Sequence, residues 1–202
     1  MMETSNPAAP ASGSDDDRDL VLMRRIAEGD EVAFAELVEI HQHAVLGTVA
    51  KMLGNATEAE DVAQQVFVRV WRSAPRYQPT AKFTTWLFTI TRNLVFNEIR
   101  RRQRKPAVSL EEREEENFGT LSVDGEMKPD EFALHAELET AVDAAIQRLP
   151  EKQRMAVVLR RYQEMAYEEI GEILGLSLPA VKSVLFRARA QLKEDLQKYL
   201  DG

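Results

Sequence analysis

The sequence has no cysteine and only three histidines among its 202 residues. Without cysteine there can be neither disulfides nor thiolate-bound metal centres. His41 and His43 are two positions apart, so they lie on different sides of a helix and form a poor metal pair. The G-x-x-x-x-G-K-S/T loop that binds nucleotide phosphates is absent as well. The sequence therefore predicts a protein that is not an enzyme, with no catalytic residues, no cofactor and no metal site.

Long hydrophobic runs are also missing. No stretch approaches the ~20 apolar residues of a membrane-spanning helix. The N-terminal residues lack the basic and apolar regions of a secretion signal. Residues 1–19 are instead polar and acidic, and we expect them to form a disordered tail. These features predict a cytoplasmic protein without membrane insertion.

The net charge of −8 is distributed unevenly along the chain. Residues 82–105 contain seven basic residues and one acid, whereas residues 110–139 contain eleven acids and two basic residues. Such a break in charge, directly after a helix-ending proline at Pro106, is typical of a linker. We expect a flexible acidic linker at 106–132, and it would separate two domains, at 20–105 and 133–202.

Strand-like alternation is almost absent, whereas apolar residues recur at helical spacing. This pattern predicts an all-α fold of two small helical domains. Asp30 is a good N-cap for the first long helix, and Thr57 and Glu60 have the spacing of a capping box for the next. In the first domain these helices, and the one that follows them, are expected at about 31–53, 58–73 and 83–104.

Residues 164–192 have the pattern of a helix-turn-helix, with a turn at Gly175–Ser177. Ser177 is placed to cap the second helix, and Pro179 falls in its first turn, where a missing N–H is tolerated. That helix is basic and contains no acid before Glu194. Its outward residues could contact phosphates and base edges in the DNA major groove. They are Lys182, Ser183, Phe186 and Arg187. The alternative is a solvated basic face on an ordinary helical hairpin.

The segment EAEDVAQQVFVRVWRS predicts a helix with an unusual outward face. Amides, a carboxylate, a valine and a large aromatic occur together there, which is more typical of a protein interface than of a solvated surface. The alternative is that Val68 and Trp71 pack on a neighbouring helix. The candidate interface residues are Asp61, Gln64, Gln65, Val68 and Trp71.

Residues 77–105 predict a loop followed by a helix that is rich in aromatic, amide and arginine side chains. These side chains suit single-stranded nucleic acid, whose bases stack on aromatics or enter pockets. The alternatives are that aromatics such as Trp86 belong to the core and that the basic end of the helix is only solvated. The candidate contacts are Tyr77, Lys82, Arg92, Asn93, Asn97, Arg100 and Arg101.

Five segments in this order resemble the extracytoplasmic-function (ECF) sigma factors of the sigma-70 family. They are GDEVAFAELVEIHQ, AEDVAQQVFVRVW, FTTWLFTITRNLVFNEIRRR, LPEKQRMAVVLRRYQEMAYEEIGEILGLS and AVKSVLFRARAQL. The resemblance covers about residues 20–105 and 133–197. It implies a sigma2-like bundle and a sigma4-like helix-turn-helix domain, joined by a linker that runs through the polymerase channel. The implied function is promoter recognition as a dissociable subunit of bacterial RNA polymerase, in a stress or envelope response.

The resemblance also implies a role for each candidate set. Asp61, Gln64, Gln65, Val68 and Trp71 would bind core RNA polymerase. The set from Tyr77 to Arg101 would read and open the −10 promoter element, and the set from Lys182 to Arg187 would read the −35 element as duplex DNA. An anti-sigma factor is a further expected partner. The alternative functions are a stand-alone helix-turn-helix regulator and a protein-binding adaptor.

The chain departs from the family pattern at several positions of the helix-turn-helix. Ala166 occupies a capping position where Ser or Thr is usual, a loss of about 1 kcal/mol. Gly171 replaces a usual alanine, which would cost about another 1 kcal/mol inside a helix. Pro179 and Ala180 stand where Gly-Thr is common, and Val184 where Arg is common. These differences leave the DNA-binding role in place and bear on the −35 sequence that is read.

Overall fold

The computed structural model describes residues 13–104 and 129–200, and all regular structure in those ranges is helical. This confirms the all-α prediction. None of the described helices is long and apolar enough to cross a membrane. The helices are α1 (Gly13–Ala27), α2 (Glu31–Leu53), α3 (Ala56–Ser73), α4 (Phe83–Arg104), α5 (Pro129–Arg148), α6 (Glu151–Tyr162), α7 (Tyr167–Leu174), α8 (Leu178–Asp195) and α9 (Gln197–Leu200), with a 3-10 turn at Ala74–Arg76.

The first bundle consists of α1–α4 and has α2 at its centre, in contact with the other three helices. The α2 helix begins where predicted, because the Asp30 carboxylate accepts the N–H groups of Val32 and Ala33. It ends at Gly54, whose φ of 67° is a left-handed conformation that glycine adopts without strain. Fully buried Leu37, together with other apolar side chains, fills the centre of the bundle.

Helix α3 begins differently from the prediction. Asn55 is its N-cap and accepts the N–H of Glu58 at 2.9 Å, one residue before the helix starts. The predicted capping box of Thr57 and Glu60 is therefore wrong, since Thr57 already lies within the first turn. The side-chain oxygen of Asn caps a helix at least as well as a Thr hydroxyl does. Because the cap is Asn55, the helix begins two residues earlier than predicted.

Two predicted boundaries also need correction. Residues 13–19, assigned to a disordered tail, belong to α1, and buried Asp19 explains their order because it pairs with His41 of α2. Residues 129–132, assigned to the linker, belong to α5. The rest of the expected tail, 1–12, and most of the expected linker lie outside the described residues.

The second bundle consists of α5–α9 and contains the predicted helix-turn-helix in α7 and α8. The turn between them is made at Gly175, whose φ is 64°. Gly171 has a specific role here, because a Cβ at this position would lie 2.7 Å from the backbone oxygen of Leu176. The predicted loss of stability from Gly171 is thus wrong as a net effect, because an alanine here would clash with the turn. The close approach of the turn to α7 requires a residue without a side chain.

The two bundles are in direct contact. Lys51 of α2 is paired with Asp143 of α5, and Arg154 of α6 donates a hydrogen bond to the carbonyl oxygen of Met52 at 2.6 Å. Gln163 donates to the Thr48 hydroxyl at 3.1 Å. Helix α4 packs along α7 on another side. The buried apolar side chains of both bundles consequently form one continuous cluster.

Candidate nucleic-acid interface

Helix α8 presents a polar and basic face to solvent. Val181, Leu185 and Ala188 are buried, which fixes the rotation of the helix on its bundle. On the other side, the four predicted contact residues are all exposed, and Phe186 retains 74% of its accessible surface. The exposed ring leaves an apolar surface among the cationic and polar side chains of this face. The α8 face consists of Lys182, Ser183, Phe186 and Arg187.

The hydrogen bonds at the N-termini of α7 and α8 differ from those that the sequence predicts. Ser177 occupies the N-cap position of α8, but its side chain makes no capping hydrogen bond there. At α7, Ala166 has no capping oxygen, but the Glu169 carboxylate accepts the N–H of Ala166 at 2.7 Å. This reverse half of a capping box offsets part of the expected loss at Ala166.

The outward surface of α3 is exposed along most of its length. Asp61, Gln64, Gln65 and Val68 are solvent-exposed, and Val68 retains 47% of its accessible surface. Trp71 is only partly exposed, because its ring packs edge-on against Phe34 of α2, with centroids 5.0 Å apart. The packing alternative therefore applies to Trp71, while Val68 is free to contact a partner.

A cleft of about 570 Å³ opens between the end of α3 and one face of α4. Three of the predicted nucleic-acid contacts line it, namely Tyr77, Asn93 and Asn97. The opposite wall contains three arginines that the sequence analysis did not select. These are Arg69, Arg72 and Arg76. Arg69 and Arg72 are three residues apart on one face of α3, and Arg76 follows in the 3-10 turn. This spacing of three and four residues was the signal that could have identified them. Cationic, amide and aromatic groups thus converge at one site.

The aromatic wall of the cleft is formed by Tyr77 and Trp86, whose ring centroids are 4.7 Å apart. Behind them lies fully buried Phe83, at 6.2 Å from Tyr77 and 5.8 Å from Trp86. Burial, with the nearby carboxylates of Asp16 and Asp19, raises the pKa of Tyr77 above its usual range. Tyr77 thus offers a neutral aromatic ring at the cleft wall, as an unshifted tyrosine also would at physiological pH.

The other predicted −10 contacts are not part of this cleft. Lys82 pairs with Glu169 of α7 at 3.0 Å, an interaction that raises the pKa of Lys82. Arg92 donates to the backbone oxygen of Ile173, and its burial lowers the pKa of the guanidinium. Two more arginines bond within their own helix: Arg100 to Asn97 and to the Phe96 carbonyl, and Arg101 to Glu98. Helix α4 therefore has one face toward the cleft and another toward the second bundle.

The buried histidine of α2 also has a structural partner. His41 lies with its Nε2 2.8 Å from Asp19 Oδ1, and its ring is 5.2 Å from that of Phe83. No cluster of potential metal ligands occurs in the ranges 13–104 and 129–200.

Two protein-family models match the chain. The model of sigma-70 region 2 matches residues 37–105, and the model of sigma-70 region 4 matches residues 139–192. The first range contains the α3 surface and the cleft. The second contains the helix-turn-helix. The matched regions thus coincide with the surfaces found in the structure.

Relatives match over most of their own length. The RNA polymerase sigma-H factor of Pseudomonas aeruginosa is 33% identical over 186 residues, covering 91% of this chain and 96% of the relative. The ECF RNA polymerase sigma factor SigW of Bacillus subtilis is 32% identical over 178 residues, covering 87% and 95%. The solved structure of CnrH in complex with the cytosolic domain of CnrY has a TM-score of 0.67 at 27% identity and covers 90% and 99% of the two chains. By these matches, the chain belongs to the ECF sigma factors of the sigma-70 family.

Proposed function

We propose that the chain acts in the cytoplasm as a dissociable, non-catalytic sigma subunit of bacterial RNA polymerase. In this role it would bind core polymerase and recognise two elements of promoter DNA. The single observation that carries the proposal is that the two bundles present two surfaces of different chemistry. One is a basic helix face suited to duplex DNA, and the other is a cleft suited to unpaired bases.

The α8 face would read the −35 element. Arg187 and Lys182 can donate to guanine edges or phosphates, and Ser183 can pair with either. Phe186, the most exposed of the large apolar residues described, supplies an apolar contact of the kind that thymine methyl groups accept. Buried Val184 cannot contribute a base contact, so this chain would read its −35 element without an arginine at that position.

The cleft would receive unpaired bases of the −10 element. Tyr77 and Trp86 offer aromatic surface for stacking, and Asn93 and Asn97 offer amides for the base edges. The three arginines of the opposite wall would hold the phosphates on either side of the bases. Lys82 and Arg92 are held outside the cleft by Glu169 and Ile173, and their remaining N–H donors could still reach a phosphate.

The exposed surface of α3 would bind core polymerase. It combines an exposed valine with two amides and a carboxylate, which is the composition of a contact that is specific but separable. We therefore assign core binding to Asp61, Gln64, Gln65 and Val68, with Trp71 supporting the surface from its packed position. We further propose that the domains predicted at 20–105 and 133–202, which α1 and α5 extend to Gly13 and Pro129, act as separate functional domains. We also propose that an anti-sigma factor regulates the chain.

Transcription with purified components tests this function. Core polymerase, the chain and a promoter template should give promoter-specific run-off transcripts, while the chain alone should bind the same duplex weakly. A local basic surface on a chain of net charge −8 gives weak binding without core. Tight sequence-specific binding by the free chain, together with no stimulation of core, would instead support a stand-alone regulator. Core binding without any promoter dependence would support an adaptor.

A further inference from the structure

Helix α4 forms one wall of the cleft, and its N-terminal N–H donates to a side chain of a distant helix. The N–H of Phe83, the first residue of α4, donates to Oδ1 of Asp16 at 2.9 Å, although 67 residues separate the two. A carboxylate at this place accepts a backbone N–H that has no partner within the helix. Its negative charge also interacts favourably with the positive end of the helix dipole. The start of α4 is thus capped from α1 and not from the preceding loop.

A second carboxylate of α1 acts one turn later. Asp19 is 3% exposed and pairs with His41, which is 8% exposed, and the His41 ring packs against Phe83. Phe83 in turn contacts both rings of the cleft wall, Tyr77 and Trp86. The two carboxylates therefore hold the same residue from two sides, one through its backbone and one through its ring.

Both aspartates precede the region that matched the sigma-70 region 2 model, which begins at residue 37. They also lie behind the cleft, because neither aspartate lines the opening. Asp17, their neighbour on α1, is exposed, and its side chain makes no hydrogen bond or ion pair within the part of the chain that the structure describes. Asp16 and Asp19 thus have partners in the structure, and exposed Asp17 offers a nearby carboxylate for comparison.

We propose that Asp16 and Asp19 are positioning residues for the −10 element, which act through Phe83 to hold the Tyr77–Trp86 wall in its base-receiving geometry. The inference rests on the proposed function of the cleft. It predicts that α1 influences promoter opening without touching DNA. Loss of a helix cap shifts a local equilibrium by roughly three- to tenfold, which is the size of effect expected on opening.

The first test examines the wall in the free, full-length chain. Trp71 and Trp86 are the only tryptophans, so Trp71→Phe leaves Trp86 as the sole reporter. In this background we expect Asp16→Ala to increase quenching of Trp86 by acrylamide. Asp16→Asn should leave quenching unchanged, because its amide oxygen can still accept the Phe83 N–H. Asp17→Ala is the matched control and should also have no effect.

The second test measures opening with holoenzyme that retains Trp71. A promoter with 2-aminopurine in the −10 element reports base unstacking. Asp16→Ala should reduce the extent of opening about three- to tenfold, with core affinity and −35 discrimination unchanged, and Asp16→Asn should restore opening to within about twofold of wild type.

The possible outcomes are distinct. Unchanged Trp86 quenching in Asp16→Ala would overturn the inference. So would a loss of thermal stability and core binding shared by Asp16→Ala and Asp16→Asn, since this would indicate a general structural role of the charge. If the wild-type holoenzyme itself fails to open the promoter, the proposed function fails, while Trp86 quenching still decides whether Asp16 positions the wall.

Discussion

Arg92 of the first bundle donates a hydrogen bond from Nε to the backbone oxygen of Ile173 in the second, at 3.0 Å. Ile173 is the penultimate residue of α7, so its carbonyl is one of those that the helix itself leaves unbonded. A guanidinium at this end also complements the helix dipole. Arg92, which we expected to contact promoter DNA, therefore links the two bundles in the free chain.

The first prediction concerns this contact. Arg92→Ala should loosen the packing of α4 on α7, because it leaves the Ile173 carbonyl without its donor, at a cost of about 1–2 kcal/mol. Distances can be measured by energy transfer between dyes on Glu60→Cys and Glu194→Cys, both on exposed positions of a chain without natural cysteine. We expect a shift toward longer distances. Arg100→Ala is the control, since Arg100 bonds only within α4. An equal shift in both variants would contradict the assignment.

The second prediction concerns Gly171. Gly171→Ala should lower the midpoint of thermal unfolding, because the new Cβ would meet the Leu176 carbonyl at 2.7 Å. Overpacking of this kind costs about 1–3 kcal/mol, which exceeds the gain of about 1 kcal/mol in helix propensity. Gly47→Ala on α2 is the matched control, since its Cβ has no neighbour within 4 Å and should be neutral or stabilising. A stabilised Gly171→Ala would show that the turn relaxes freely.

The third prediction concerns the α3 surface that we propose binds core polymerase. Val68→Asp should weaken core binding by about 2 kcal/mol, since it puts a charge at the apolar centre of that surface. Thermal stability should remain close to wild type because Val68 is exposed. Trp71→Ala is less decisive, because it also removes the contact with Phe34. Glu60→Gln, on the same helix and outside the surface, should bind core normally. If Val68→Asp lowers the midpoint of thermal unfolding and leaves core affinity unchanged, the assignment is refuted.

The fourth prediction concerns the cleft arginines. Arg76→Ala should weaken promoter binding by the holoenzyme for all −10 sequences alike, because a phosphate contact does not distinguish bases. The slope of log affinity against log salt should fall by about 0.7–0.9 for one lost contact. Asn93→Ala removes no charge and should leave the slope unchanged. A titration of binding between low and moderate salt separates the two. An unchanged slope in Arg76→Ala would remove this arginine from the DNA interface.

Local sequence signals were sufficient for much of the first bundle. The beginning of α2 followed from the cap at Asp30, and the extent of α4 from its apolar periodicity and terminal arginines. The outward face of α8 followed from helical spacing alone. These features depend on neighbours within a few residues, which is the range over which sequence patterns are informative.

Features that depend on distant partners were missed. Residues 13–19 are polar and acidic, as in a disordered segment, yet Asp19 becomes ordered by pairing with His41. Lys82 and Arg92 have the chemistry of DNA contacts, but α7 supplies partners for both. Gly171 looked like a defect because the approaching Leu176 carbonyl cannot be inferred from helix propensity.

The central claim is that the α8 face and the cleft read different promoter elements, and run-off transcription on templates with single substitutions in each element tests it most directly. Arg187→Ala should lose about 1–3 kcal/mol of discrimination in the −35 element and keep its −10 preference. Asn93→Ala should show the reverse. Arg189→Ala is the control, since its guanidinium bonds to the Tyr167 hydroxyl on the same bundle. A changed −10 preference in Arg187→Ala, or a loss of −35 discrimination in Asn93→Ala, would contradict separate reading of the two elements.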